Sequence, residues 1–384
     1  MTPTATLEIL KDLVGFPTVS ADSNLEMISY LAQRLDDTGA RVRIMTDESG
    51  KKANLFATLG PDRDGGIVLS GHSDVVPAEE PNWSSDPFEM SLREGLIYGR
   101  GTCDMKGFIA AAVAMAPEFA EGQLGRPVHF SFTYDEEVGC LGARQLVEDL
   151  KHSGIQPAVA IIGEPTEMRI FEGHKGCCEY TTRFRGLEGH GSQPDAGVSA
   201  VEYAVRYVAR LLELRSDLKQ RAPADSRFDP PWTTLQIGRI AGGVAHNVIA
   251  GRCDVDWEMR PVTTADKDFI KQAINSYCRE TLLPDMQAVF PQASIETEVI
   301  GEVEGLEPVS DNEAREIVQA LTGANTAEVV AFGTEAGLFQ GMGMTAVVCG
   351  PGSISQAHKA DEFLAVSQLQ LAEDMLAKLN ASLR

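Results

Sequence analysis

The sequence predicts an α/β fold: a mostly parallel sheet flanked by helices, interrupted by an inserted α+β unit. Three observations carry that prediction. Four short apolar runs, GIVLSG (66–71), PVHFSFTY (127–134), AVAIIG (158–163) and TAVVCG (345–350), are too continuous to be strands with one wet face. Helix-patterned stretches separate them, among them FIAAAVAMAPEFA at 108–120 and LGARQLVEDLKHSG at 141–154. Between the third and fourth runs lies a long segment whose elements follow a different order.

Each part has its own justification. Val, Ile and Phe dominate the four runs, so both faces of each strand are covered, and the intervening helices supply the cover. The middle segment reads strand (177–186), helix (199–214), strand (232–242), strand (248–260), helix (267–282), strand (293–301). That βαββαβ order is the split-βαβ arrangement of a compact α+β unit. A chain of 384 residues exceeds one core. The expected organisation is therefore an α/β domain of residues 1–176 and 303–384, with an inserted domain at 177–302.

The totals exclude several functions. A formal net charge of −23 repels nucleic acid and anionic membrane surfaces at long range, so neither is expected as a partner. Seven cysteines include no CxxC pair, and their odd number leaves at least one unpaired in any disulfide scheme. The amino terminus has no basic start followed by an apolar core, and no apolar run reaches the ~18 residues of a membrane span. These features fit a soluble protein of the reducing cytoplasm.

The chemistry lies at the ends of the strands. His72 follows the first run, Glu136 and Glu137 the second, and Glu164 the third; His358 comes soon after the fourth, and Asp104 sits just before the alanine-rich helix. In open α/β sheets the carboxyl ends of the strands form one ligand-collecting edge. Two histidines with three carboxylates suit zinc, cobalt or manganese better than magnesium or calcium. Five ligands exceed the needs of one open tetrahedral site, so two cations sharing one carboxylate is the economical reading, with Asp104 as the bridge. Asp74, two residues after His72, shares its face of the strand and is expected to accept the second ring N–H through its carboxylate. Of the adjacent Glu136 and Glu137, one can bind a cation while the other shuttles protons, and spacing does not say which.

The motifs GHSDVVP (71–77), YGRGTCDMKG (98–107), YDEEVG (134–139), GEPT (163–166) and QAHKADEF (356–363), in this order, resemble those of the M20 family of dinuclear zinc hydrolases. That group includes acetylornithine deacetylases, succinyl-diaminopimelate desuccinylases and carboxypeptidase G2, and the resemblance covers essentially the whole chain. It implies a first cation on His72 and Glu164, a second on Glu137 and His358, Asp104 bridging, and Glu136 as general base. It also implies a cis peptide at Asp104–Met105, a lid and dimerisation role for the inserted domain, and a homodimer in which His190 reaches the neighbouring subunit's active site as an oxyanion donor. Arg260 is implied to bind the substrate α-carboxylate, Asn247 would add a polar contact to substrate, and Glu335 is expected either to hydrogen-bond a substrate amine or to stabilise a turn. Lys175 and Gly176 would form the hinge.

The stretches 163–176, 332–340 and 349–363 are most similar to the acetylornithine deacetylase branch. The activity implied is release of acetate from N2-acetyl-L-ornithine in arginine biosynthesis. Removal of succinyl from succinyl-diaminopimelate, or of another acyl group, is the alternative; an aminopeptidase and a non-catalytic peptide-binding relative are the more distant ones. The segment GTEAGLF has Gly337 where the branch carries proline, and GHGSQP has Gly191 where a serine is usual; both departures bear on specificity.

Overall fold

The computed structural model describes residues 4–79, 81–330 and 332–384. The chain divides into two compact units, Met1–Gly173 with Pro308–Val329 and Thr334–Arg384, and His174–Glu307 with Val330–Gly333. The second unit begins and ends a few residues outside the expected 177–302. His174 and Leu306 close its neck by exchanging two main-chain hydrogen bonds of 3.0 Å, which draws the flanking residues in.

The first unit is built on an eight-stranded sheet. Its strands lie in the order Arg41–Thr46, Ala53–Leu59, Val128–Thr133, Ile67–His72, Val159–Pro165, Thr345–Gly350, Phe171–His174, Glu328–Val330. The third to sixth of these are the four apolar runs, and they pair in parallel. Every residue of three of them is buried, as a sheet covered on both faces requires. The strands beside this centre pair antiparallel, so the whole sheet is mixed.

The helix Gly107–Glu121 is apolar on nearly all sides and lies under the sheet, packed against the helices Thr4–Val14 and Val366–Ser382. Its Phe108 is fully buried, a burial contributing about 1.5–3 kcal/mol. The Phe108 ring presses on Gly163, where a Cβ would fall 1.9 Å from a ring atom. Glycine there lets the helix approach the strand at the residue before Glu164.

The second unit has a four-stranded antiparallel sheet in the order Thr234–Gly242, Arg252–Arg260, Cys177–Arg185, Ser294–Val303. With the helices Ala200–Gln220 and Thr264–Tyr277 it realises the βαββαβ order. Burial alternates along Cys177–Arg185, with Cys178, Tyr180, Thr182 and Phe184 inside, so this sheet is one-sided, unlike that of the first unit. Lys175, expected at a hinge, is anchored inside this unit: its ammonium donates to the carbonyls of Pro230 (2.7 Å) and Trp232 (3.0 Å).

Among the described residues no helix is long and apolar enough to cross a membrane. All seven cysteines are free thiols.

Candidate metal centre

The parallel strands deliver His72, the Glu136–Glu137 turn, Glu164 and the His358 turn to one edge of the sheet of the first unit. Asp104 arrives from the segment before the central helix, and its peptide to Met105 is cis. Its two carboxylate oxygens divide between two histidines. Oδ1 lies 3.0 Å from His72 Nε2, and Oδ2 lies 3.3 Å from His358 Nε2. Each histidine has a further carboxylate: Glu164 is 3.7 Å from His72 Nε2, and Glu137 is 3.0 Å from His358 Nε2. Two donor sets therefore share one carboxylate. Glu136 approaches from the side of His72 and Glu164, with donor atoms of the three within 4.8 Å of one another.

The inner ring nitrogen of His72 follows a different path from the one expected. Its Nδ1 donates to the main-chain carbonyl of Asp74 at 2.8 Å, which requires the proton on Nδ1 and turns Nε2 toward Asp104. The Asp74 carboxylate, expected in that place, is 3.7 Å from Nδ1. The turn puts the carbonyl beside the ring and sends the carboxylate elsewhere. There it accepts from the Ser20 hydroxyl at 2.7 Å and from the main-chain N–H groups of Glu136 (3.0 Å) and Glu137 (3.3 Å). Asp74 thus holds the glutamate turn in place.

That turn has further supports that sequence reasoning missed. Asp135 adopts a left-handed φ of 53°, uncommon for a residue with a side chain. Its carboxylate pairs with the Lys52 ammonium, which also donates to the Ser20 carbonyl. The Cys140 thiol lies 3.6 Å from Glu136 Oε1. Lys52 and Ser20 belong to no motif, and their distance along the chain from Asp135 hides the contact.

The electrostatics test whether cations fit. Burial pushes the Glu136 and Glu164 carboxyls well above the usual range, and neighbouring carboxylates add to the effect. Burial likewise raises Glu137, against the hydrogen bond from His358. Asp104 is held low: burial opposes ionisation, but the hydrogen bonds to His358 and His72 prevail. The bonds to Asp104 and Glu137 push His358 up to about 10, and His72 is also raised, because the surrounding carboxylates outweigh its burial. Among the described residues, Asp104, Glu137 and Glu164 find histidines only within ion-pair distance. Such a crowd of buried acids calls for positive charge, and divalent cations bound by mixed N/O donors would supply it. The residues fit a pair of divalent cations.

The remaining expected residues fall elsewhere. His190, Asn247 and Arg260 belong to the second unit. His190 pairs with Val248 in a short ribbon, and its Nδ1 accepts from the main-chain N–H (3.3 Å) and hydroxyl (2.8 Å) of Ser192, so the neutral ring carries its proton on Nε2. Asn247 is exposed beside it, and its backbone lies so close to Gly191 that a Cβ there would sit 2.9 Å from its carbonyl carbon. That contact is a physical reason for the glycine. Arg260 faces Glu258 at 3.1 Å. Of the two roles open to it, Glu335 does not fit the contact to substrate. It is 1% exposed, in the first unit, and its two oxygens accept from the hydroxyls of Ser70 (2.6 Å) and Thr133 (2.7 Å), on adjacent strands behind the ligands. Gly337 is buried in the short helix Ala336–Gly341 that follows.

Residues 68–381 match the model of peptidase family M20/M25/M40. The chain is 33% identical over 380 residues to an acetylornithine deacetylase of Pasteurella multocida, covering 97% of this chain and 96% of that one. It is 34% identical over 381 residues to an acetylornithine deacetylase of Proteus mirabilis, covering 97% and 95%. Among solved structures it is similar to the aminopeptidase PepT of Bacillus cereus, with a TM-score of 0.72, 20% identity and 99% and 98% of the two chains covered. The M20 family metallo-carboxypeptidase Sso-CP2 of Sulfolobus solfataricus is similar with a TM-score of 0.73, 16% identity and 98% of each chain covered. At these identities the structural likeness speaks of the fold alone.

Proposed function

The chain belongs to peptidase family M20/M25/M40 and is a metal-dependent hydrolase of amide bonds to amino acids, and from that premise we propose that it removes the acetyl group from N2-acetyl-L-ornithine, giving ornithine and acetate. The observation that carries the chemistry is the division of Asp104 between His72 and His358, each with its own glutamate. The choice of substrate rests on the likeness to acetylornithine deacetylases over nearly the whole chain.

In this reading His72, Glu164 and Asp104 hold one cation, and Glu137, His358 and Asp104 the other, with zinc the leading candidate and cobalt the alternative. Such cations, when bound, would lower the pKa of water to about 7 and polarise an amide carbonyl. Glu136 serves as the base: its carboxylate takes the proton of the attacking water and returns it to the departing amine nitrogen. Asp74 keeps that carboxylate aimed by gripping the main chain of the turn.

The second unit supplies recognition. The Arg260 guanidinium meets the substrate α-carboxylate in place of Glu258, with two parallel hydrogen bonds. The Nε2–H of His190 donates to the oxygen on which negative charge develops, from the neighbouring subunit of a homodimer. Asn247, exposed next to His190, adds a polar contact.

The test is metal analysis of purified protein together with turnover of a small panel: N2-acetylornithine, succinyl-diaminopimelate, other N-acyl amino acids and dipeptides. Two equivalents of divalent metal and a clear preference for N2-acetylornithine are expected. Preference for the succinyl substrate or for dipeptides would replace the substrate while keeping the chemistry, and absence of turnover across the panel would reject both.

A further inference from the structure

Two charged residues of the motifs, Arg100 and Glu362, take no part in the ligand set, yet each is only 1% exposed. Glu362 accepts four hydrogen bonds. Oε1 receives the main-chain N–H groups of Cys103 (2.9 Å) and Asp104 (3.1 Å), and Oε2 receives those of Gly101 (3.0 Å) and the Arg100 guanidinium (2.9 Å). Arg100 also donates to two more segments, at the carbonyls of Pro77 (2.9 Å) and Lys359 (3.3 Å). Pro77 follows the His72–Asp74 turn, and Lys359 is next to His358. One buried ion pair therefore ties together the segments that carry His72, Asp104 and His358.

Those segments need an external tie. Asp104 sits in a non-helical stretch, with φ −124° and ψ 93°, so no helical ladder fixes its direction. His358 adopts a left-handed φ of 57° on a turn and is half exposed. His72, by contrast, ends a buried strand and is braced by the Asp74 carbonyl. We propose that Arg100 and Glu362 are positioning residues that hold Asp104 and His358 at the spacing a second cation requires, and that they set the affinity of the Glu137–His358 side of the centre.

This rests on the two-cation reading above, and its test separates the two. Glu362→Gln keeps the size of the side chain but turns an acceptor oxygen into a donor facing main-chain N–H groups. Arg100→Lys keeps the charge but lacks the fork that reaches three segments at once. Apo forms of the wild type and both variants are titrated with Co2+ by calorimetry and by the visible cobalt spectrum, at a temperature where melting curves show all of them folded. Groups that hold metal ligands in place by hydrogen bonds are worth roughly 10–100-fold in metal affinity. The expected result is a loss of that size for the second equivalent of cobalt, an altered spectrum for that equivalent, and a first equivalent bound as in the wild type.

Variants that bind both equivalents with wild-type affinity and spectrum would overturn the inference. So would equal weakening of the two equivalents. If one variant does not fold, the other carries the test; if neither folds, the pair is a folding clamp and the positioning role is rejected. A wild-type protein that takes up fewer than two equivalents would sink the two-cation reading itself, and this inference with it.

Discussion

Asp74 and Glu136 make different demands on a substitution, because one acts through the main chain and the other on the reacting atoms. In Asp74→Asn one oxygen becomes an NH2 that must face Ser20 or the N–H of Glu136 or Glu137, so the glutamate turn loses an anchor. We expect kcat to fall roughly 10–100-fold with both cations still bound, read by steady-state kinetics beside metal analysis. Glu136→Gln removes the proton carrier while leaving the ligands untouched. Here the fall in kcat should be about 10²–10⁴-fold, again at full metal content; an unchanged rate would take the base role from Glu136. Glu335 shows why a motif residue need not touch substrate: Ser70 and Thr133 already engage both its oxygens.

At the level of the element, the central strands tolerate little change. Gly163→Ala would drive a methyl group into the Phe108 ring and should destabilise the fold by about 1–3 kcal/mol, measured by urea unfolding. The strand Val128–Thr133 also carries a titratable group. His129 is 3% exposed, its Nδ1 lies 2.8 Å from the Thr58 hydroxyl, and it stacks on Phe56. Burial, helped by Arg41, lowers its pKa to about 4, and burial does the same to His174, to about 4. Both histidines are therefore neutral in the fold at pH values where the unfolded chain, titrating near 6.5, already takes protons. Stability from this source is complete above pH 6.5 and declines as the pH falls toward 4. Between about pH 7.5 and pH 5 each histidine should cost about 2 kcal/mol. Urea unfolding at the two pH values checks this, and His129→Gln should recover about half of the difference.

At the scale of the whole molecule, the proposed dimer makes a prediction of its own. If His190 serves the neighbouring subunit, His190→Ala and Glu136→Gln proteins are each inactive, but mixed dimers contain one intact site. Equal amounts, unfolded and refolded together, should regain about a quarter of wild-type activity. No recovery would mean that each chain uses its own His190, and an active His190→Ala protein would mean that neither chain needs it. Much of this molecule was legible from residues in order: continuous apolar runs are a local signal, and they marked the four parallel central strands with the acids and histidines at their ends. The βαββαβ order of the second unit was legible for the same reason. The outer strands were less so, because Arg41–Thr46 is largely exposed and shows no apolar run. What the sequence by itself determined is which residues meet at the sheet edge, since strand ends and motif order are properties of neighbouring residues. Only the tertiary structure decided where their polar atoms point: the Asp74 carboxylate toward the glutamate turn, Glu335 between two hydroxyls, Glu362 around the main chain of Asp104. Those directions depend on backbone turns and on partners such as Ser20, Lys52 and Arg100, which lie far away along the chain and are brought close only by folding.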